Sequence, residues 1–202
     1  MAGSLSRSYV APVRKLTYFV AATLDGFIAA PDGSFDFFPV SDEYQQHVVE
    51  HYPETLPSHV RSALGVTAVG TRFDTVVCGF ATYDVGPRTG FPSPYSHLQQ
   101  YVVSTRLSEP PHPDVRLISR DPVAALRRLK AEDGLGIYLC GGGKLAGALA
   151  TEIDELIVKR SPISIGAGIA MFEGSFEPQP WELTDTHRID IGVTFDTYRR
   201  AG

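Results

Sequence analysis

Three features of this 202-residue chain predict an α/β layer fold. Short, nearly continuous apolar runs at 15–22, 75–78 and 137–140 have the character of strands covered on both faces. Segments with helical spacing lie between strands, as Val123, Leu126 and Leu129 show. Two last strands, near 181–185 and 193–198, are joined by a turn at Asp190, Ile191 and Gly192 and add an antiparallel edge.

Residues 1–13 read as a flexible tail and 14–202 as a single domain. The run 15–22 is the first strand. Asp25-Gly26 and Pro31-Asp32-Gly33 mark turns, with Phe27, Ile28 and Ala29 between them. A helix starts after Ser41, a suitable N-cap followed by Asp42 and Glu43, and stops at Tyr52-Pro53. A second helix or irregular segment covers 59–64 and leads into 66–69. The strand 75–78 runs into Gly79, and the Gly- and Pro-rich stretch 85–96 is expected to be loop. Strands follow at 100–104 and 115–119. Asp121-Pro122 opens a helix through Lys130, with Pro122 at a first-turn position. The strand 137–140 then enters a glycine turn and a helix. A strand at 155–159 precedes the glycine-rich stretch 165–169.

Composition narrows the function classes. A hydrophobic content of 43% is ordinary for a globular protein. The net charge is −5, with Lys and Arg scattered, which argues against nucleic acid and anionic membrane as partners. Residues 1–13 lack the apolar core of a signal peptide, and no run is long enough to cross a membrane. A cytoplasmic protein acting on a small molecule is the expectation. Cys78 and Cys140 each end an apolar run before a glycine and read as buried strand residues, with no metal or disulfide spacing.

The richest segment is the strand 137–140 followed by Gly141, Gly142, Gly143, Lys144 and Leu145. A turn without Cβ atoms lets backbone approach a ligand and aims the free N–H groups of a helix N-terminus at it, which suits a phosphate. The alternative is a tight strand-to-helix turn that binds nothing. Gly141, Gly143 and Gly147 also form a variant dinucleotide fingerprint, but Arg160-Ser161 stands where an acidic residue is usual. Three strands end in ligand-friendly residues: Gly79 to Thr82, Ser104 with Thr105 and Arg106, and the glycine run. Ligands of open α/β sheets bind at such ends, and Arg120 adds charge nearby.

His47, Glu50 and His51 match an inverted zinc-peptidase pattern, whose alternative is a solvated helix face. Among the acids Asp25, Asp32, Asp36 and Asp42, Asp36 stands out between Phe35, Phe37 and Phe38. A carboxyl among aromatic rings suits hydrogen bonding to a flat heterocycle and proton supply. Its alternative is a loop carboxylate facing water.

One succession of segments carries a family likeness. It runs through Ala21 to Ala29, Gly79 to Tyr83, Tyr101 to Ser104, Leu139 to Leu145, Ile153 to Leu156 and Pro162 to Phe172. In order and spacing it resembles the dihydrofolate reductase-like superfamily, in the branch related to the reductase domain of the bifunctional riboflavin-biosynthesis deaminase/reductase. The resemblance implies a three-layer fold: a mostly parallel central sheet, flanking helices and a C-terminal antiparallel hairpin. It further implies a homodimer that reduces a pterin-like, pyrimidine-like or carbonyl/imine substrate with NADPH.

By that resemblance Ala21 and Ile28 line the nicotinamide side. Gly79 to Thr82 and Ser104, Thr105 and Arg106, with Arg120, hold the adenosine phosphates, and Val103 belongs to the same cofactor-binding set. Gly141, Gly142, Gly143, Lys144 and Leu145 wrap the pyrophosphate, and no metal is implied. Two departures stand out. Phe80 and Ala81 follow Gly79 where the family often has a base, which leaves 2′-phosphate recognition to Arg106. The carboxylate that dihydrofolate reductases carry at the start of the first long helix has only Asp36 or Asp42 as its counterpart. A non-catalytic NADP(H)-binding sensor or scaffold, and a zinc enzyme using His47, Glu50 and His51, are the alternatives.

Overall fold

The computed structural model describes residues 13–201. In chain order its strands are β1 (Leu16–Ala22), β2 (Phe27–Ala29), β3 (Phe73–Gly79), β4 (Gln99–Val103) and β5 (Val115–Ile118), followed by β6 (Gly136–Gly141), β7 (Glu155–Arg160), β8 (Ile169–Ala170), β9 (Trp181–Arg188) and β10 (Thr194–Arg200). The helices are α1 (Asp42–His51), α2 (Ser58–Ala63), α3 (Phe80–Tyr83), α4 (Val85–Arg88), α5 (Pro122–Lys130) and α6 (Gly143–Ala148).

Eight strands form one sheet in the order β5-β4-β3-β6-β1-β7-β10-β9. The strands from β5 to β7 are mutually parallel, and β10 and β9 add an antiparallel edge. Strand β1 shows why both faces must be covered. Leu16, Tyr18, Val20 and Ala22 pack against α5 and α6 through Leu126, Leu129, Leu145 and Leu149. Phe19, pointing the other way, packs with Ile157, Phe195 and Val48 of α1. The period-two pattern thus feeds two cores, and the result is the three-layer α/β architecture expected.

Local chemistry sets the helix starts. The Ser41 hydroxyl accepts the Tyr44 N–H at 3.2 Å and caps α1. The Asp121 carboxylate accepts the Ala124 N–H at 2.9 Å before Pro122 opens α5. The stretch expected to be loop at 85–96 differs: α4 occupies its start, directly after α3. A four-residue helix makes about one turn, too short to display a periodicity in sequence. Strand β8, two residues that pair with β2, is likewise too short to display a periodicity in sequence. The tail reading for residues 1–13 falls outside the described residues up to residue 12. Arg14 is already fixed, its guanidinium paired with Asp74 and bonded to the Thr75 hydroxyl at 2.7 Å. No helix among the described residues is long and apolar enough to cross a membrane.

Candidate active site at the carboxyl edge of the sheet

The chain diverges between β3 and β6. From β3 it moves outward to β4 and β5; from β6 it moves the other way, past β1, to β7. Such a switch point opens a crevice beyond the carboxyl ends of the strands. Gly79 ends β3 and caps α3, while Gly142 follows β6 and caps α6; neither cap has a side-chain hydrogen bond. A Cβ on Gly79 would sit only 3.7 Å from the Gly141 carbonyl oxygen and 3.8 Å from the Gly142 nitrogen. Gly141 has φ +124°, open to glycine alone, and the Gly141–Gly142 peptide is cis.

The same corner gathers side chains from three other elements. A Cβ on Gly142 would lie 3.4 Å from Thr82 Oγ1 and 3.9 Å from Ile28 Cδ1. One on Gly141 would lie 3.9 Å from Thr82 Oγ1 and 4.0 Å from the Tyr18 hydroxyl. In sequence Tyr18 is indistinguishable from core, because it lies inside an apolar strand. Its hydroxyl donates to the Met171 carbonyl at 3.1 Å, and burial raises its pKa far above the ordinary tyrosine range.

The glycine run divides into two parts. At Gly141 and Gly142 a Cβ would find room, at ordinary contact distance from the side chains of Thr82 and Ile28. Gly143 and Gly147 differ: a Cβ there would fall 2.0 Å from the Ala170 carbonyl oxygen and 1.8 Å from that of Glu173. Their bare side is filled by the chain itself, and Glu173 N–H donates to the Gly143 carbonyl at 3.0 Å. Packing against Ala170 and Glu173 therefore accounts for the missing Cβ atoms of Gly143 and Gly147, whereas Gly141 and Gly142 have no such backbone pressed against them. Lys144 is exposed, and Leu145 is buried against the Gly79 side.

The other expected positions fall along the same edge. In register, Ile118 pairs with Val103, Val103 with Gly79, and Cys78 with Gly141. Ser104 is buried just past Val103; its N–H donates to the Ile118 carbonyl at 3.1 Å and its hydroxyl accepts the Arg106 N–H at 3.2 Å. Thr105, Arg106 and Arg120 are exposed, and neither guanidinium forms an ion pair among the described residues. Ala21 is half-buried near the end of β1, in register with Lys159. A cavity of about 280 Å³ opens nearby, between Ala22, Leu24 and Gly26 on one side and Arg160, Met171 and Tyr198 on the other.

The acids separate by environment. Asp36 is exposed in the loop after β2, beside Phe37 and Phe38, whose rings pack at 4.6 Å. Its carboxylate has no hydrogen bond among the described residues, and the structure does not join it to the glycine corner. Asp32 is tied to Ser34, and the bonds from its N–H and hydroxyl lower the carboxyl pKa. Asp25 accepts three hydrogen bonds, the Thr23 hydroxyl leading, and its pKa is lowered likewise.

The histidine motif lies on the α1 side of the sheet, against β9 and β10. His47 stacks on His187 of β9, centroids 4.2 Å apart and planes 2° from parallel, and sits 4.5 Å from His51. With Tyr52, Arg72, Asp185 and Phe195 these rings border a cavity of about 360 Å³, larger than the one at the edge. Stacked imidazoles keep their lone pairs in parallel planes, so the pair does not converge on one ion as a metal site requires. Glu50 is exposed and outside this lining. Among the described residues no group of three or more His, Cys, Asp or Glu side chains is disposed to hold a metal. The geometry that the zinc alternative needs is absent from the His47, Glu50 and His51 cluster. Burial, then His187 and His51, hold the His47 pKa down at about 4.

The family model of the RibD C-terminal domain matches residues 14–195. The chain belongs to this family. A relative in Bacillus subtilis (strain 168), the uncharacterized protein YwjB, is 29% identical over 161 residues, 79% of this chain and 83% of its own. A solved structure of a putative riboflavin biosynthesis protein from Shewanella sp. PV-4 superposes with a TM-score of 0.69 at 22% identity, over 93% of this chain and 99% of that one. A second is the diaminohydroxyphosphoribosylaminopyrimidine deaminase/5-amino-6-(5-phosphoribosylamino)uracil reductase from Thermotoga maritima. It gives 0.63 at 17% identity, over 93% of this chain but only 57% of the larger protein. These two likenesses show the shared fold, a RibD C-terminal-like sheet with its antiparallel edge.

Proposed function

We propose that this RibD C-terminal-family chain is an NADPH-dependent reductase of a small pyrimidine-like or pterin-like heterocycle, or of a related carbonyl or imine compound. The open pair Gly141–Gly142 opposite Gly79, at the switch point of a parallel sheet, carries the reading. The residues fit the cofactor: a Cβ would fill the corner that Thr82 and Ile28 border, and Arg106 and Arg120 supply positive charge farther along the edge. NADPH, when bound, supplies a hydride.

The protein's part is to bind and orient. Gly79, Thr82, Ser104, Thr105 and Arg106 would hold the adenosine phosphates, with Val103 and Arg120 beside them. Gly141 and Gly142 would hold the pyrophosphate, with Lys144 exposed beside them, Gly143 and Leu145 would support that turn by packing, and Ala21 and Ile28 would flank the nicotinamide. Asp36 would orient substrate or supply the proton from its exposed loop after β2. A homodimer is part of the proposal: β9 is an exposed edge strand, with Leu183 uncovered beside the half-buried Trp181.

Titration with NADPH and NADH, then turnover against a pyrimidine, pterin and carbonyl panel, tests the reading. Tighter NADPH binding and oxidation with one substrate class, lost in Asp36→Asn, is the expected result. Binding without oxidation by any member would favour the sensor alternative, which the missing base after Gly79 keeps in play.

A further inference from the structure

Residues 161–173 form a strap from the end of β7, across β2, to α6. Ser161 N–H donates to the Ala22 carbonyl, Met171 N–H to that of Gly26, and Glu173 N–H to that of Gly143. Between these points Leu24 N–H donates to the Ile163 carbonyl at 2.7 Å and β8 pairs with β2, and one carboxylate adds the side-chain tie. Asp25 Oδ2 accepts the N–H groups of Ile165 at 3.0 Å and Gly166 at 2.7 Å. Gly166 has φ +74°, and the turn presents two successive N–H groups to a single anionic oxygen. Asp25 Oδ1 meanwhile accepts the Thr23 hydroxyl at 2.5 Å. Thr23 in turn binds Phe27 twice, its N–H donating to the Phe27 carbonyl at 2.9 Å and its hydroxyl oxygen accepting the Phe27 N–H at 3.0 Å. Phe27 begins β2, and the next residue is Ile28, which borders Gly142.

We propose that Asp25 is a positioning residue: its carboxylate latches the strap to the turn between β1 and β2 and thereby sets how Ile28 faces Gly142. Charge-assisted bonds of this kind are roughly twice as strong as neutral ones. The remaining strap bonds keep the fold when the latch is lost, so the variant loosens instead of unfolding. The consequence for NADPH rests on the function proposed above; the latch itself does not.

The test compares full-length wild type, Asp25→Ala and Asp25→Asn by amide exchange, by the Ile28 δ1-methyl resonance and by NADPH titration. In Asp25→Ala, exchange at Ile165 and Gly166 accelerates while β1 and β6 stay protected, the Ile28 methyl shifts, and NADPH binds about tenfold more weakly. Asp25→Asn, which keeps an acceptor oxygen, recovers part of each change. Unaltered exchange and an unmoved Ile28 methyl overturn the latch. Faster exchange with unchanged NADPH affinity overturns the coupling and leaves a merely structural tie. Wild type that binds no NADPH sinks the cofactor reading instead, and the exchange and methyl signals still decide the latch.

Discussion

Gly141 and Gly142 have the same composition as Gly143 and Gly147 and lie within one turn and one helix, yet they serve opposite ends. At the first pair a Cβ would meet the side chains of Thr82, Tyr18 and Ile28 at ordinary contact distance; the second pair is pressed against the carbonyls of Ala170 and Glu173. A missing Cβ makes room either for a ligand or for the chain itself, and only the neighbours decide which. Under the proposed function, the close approach that a phosphate would need falls in the first half of the motif. Its second half holds the strap that carries Met171, the acceptor for the Tyr18 hydroxyl.

The comparison is broken most forcefully at the packed pair. Gly143→Ala or Gly147→Ala adds a methyl to a helix, worth about 1 kcal/mol of helical preference. The collision is with backbone carbonyl oxygens, and overpacking costs about 1–3 kcal/mol. The collision wins, and thermal melting should show a drop of several degrees in a chain of this size. A rise in melting temperature would mean the strap yields freely. Gly142→Val should do the reverse: melting close to wild type, and NADPH affinity reduced at least about tenfold because the side chain projects into the corner. Gly142→Ala, whose methyl meets Thr82 Oγ1 at 3.4 Å, should show a smaller loss. Equal affinity in both variants would remove the crevice from cofactor binding.

Arg106→Ala probes the far end of the same edge. It should narrow the preference for NADPH over NADH by about fivefold at low salt and less at high salt, as for an exposed charge. A preference that is unmoved would shift 2′-phosphate recognition away from Arg106. The histidine cavity supplies the contrast in pH. His47 has its folded pKa held below the ordinary 6.5, at about 4, so the unfolded chain binds more protons between those values. Stability should therefore fall as pH drops from about 6.5 toward 4. The slope should be shallow because the ring is partly solvated, and it should be flatter still in His47→Gln. Denaturant midpoints across that window check it; an identical slope in the variant would assign the acid sensitivity elsewhere.

Much of this was legible in the chain. The apolar runs at 15–22, 75–78 and 137–140 became β1, β3 and β6 because their burial on both faces is written in unbroken apolar character. Ser41 and Asp121 announced their helices through side-chain acceptors that act within three residues. What escaped depends on distant partners. The spacing of Gly143 and Gly147 one helical turn apart is a signal for close backbone packing, but the partner strap lies beyond β7. Tyr18 could not be told from core by pattern, since its role comes from facing Gly141. Asp36 stands out in sequence by its aromatic neighbours, whereas Asp25, whose bonds reach 140 residues away, carries the structural connections.

The most direct measurement is NADPH titration of wild type and Gly142→Val by calorimetry, with the melting of each preparation recorded alongside. The account predicts micromolar binding to wild type, at least about tenfold weaker binding to the variant, and matching melting temperatures. Equal affinity in a folded variant, or no binding by wild type, would contradict it.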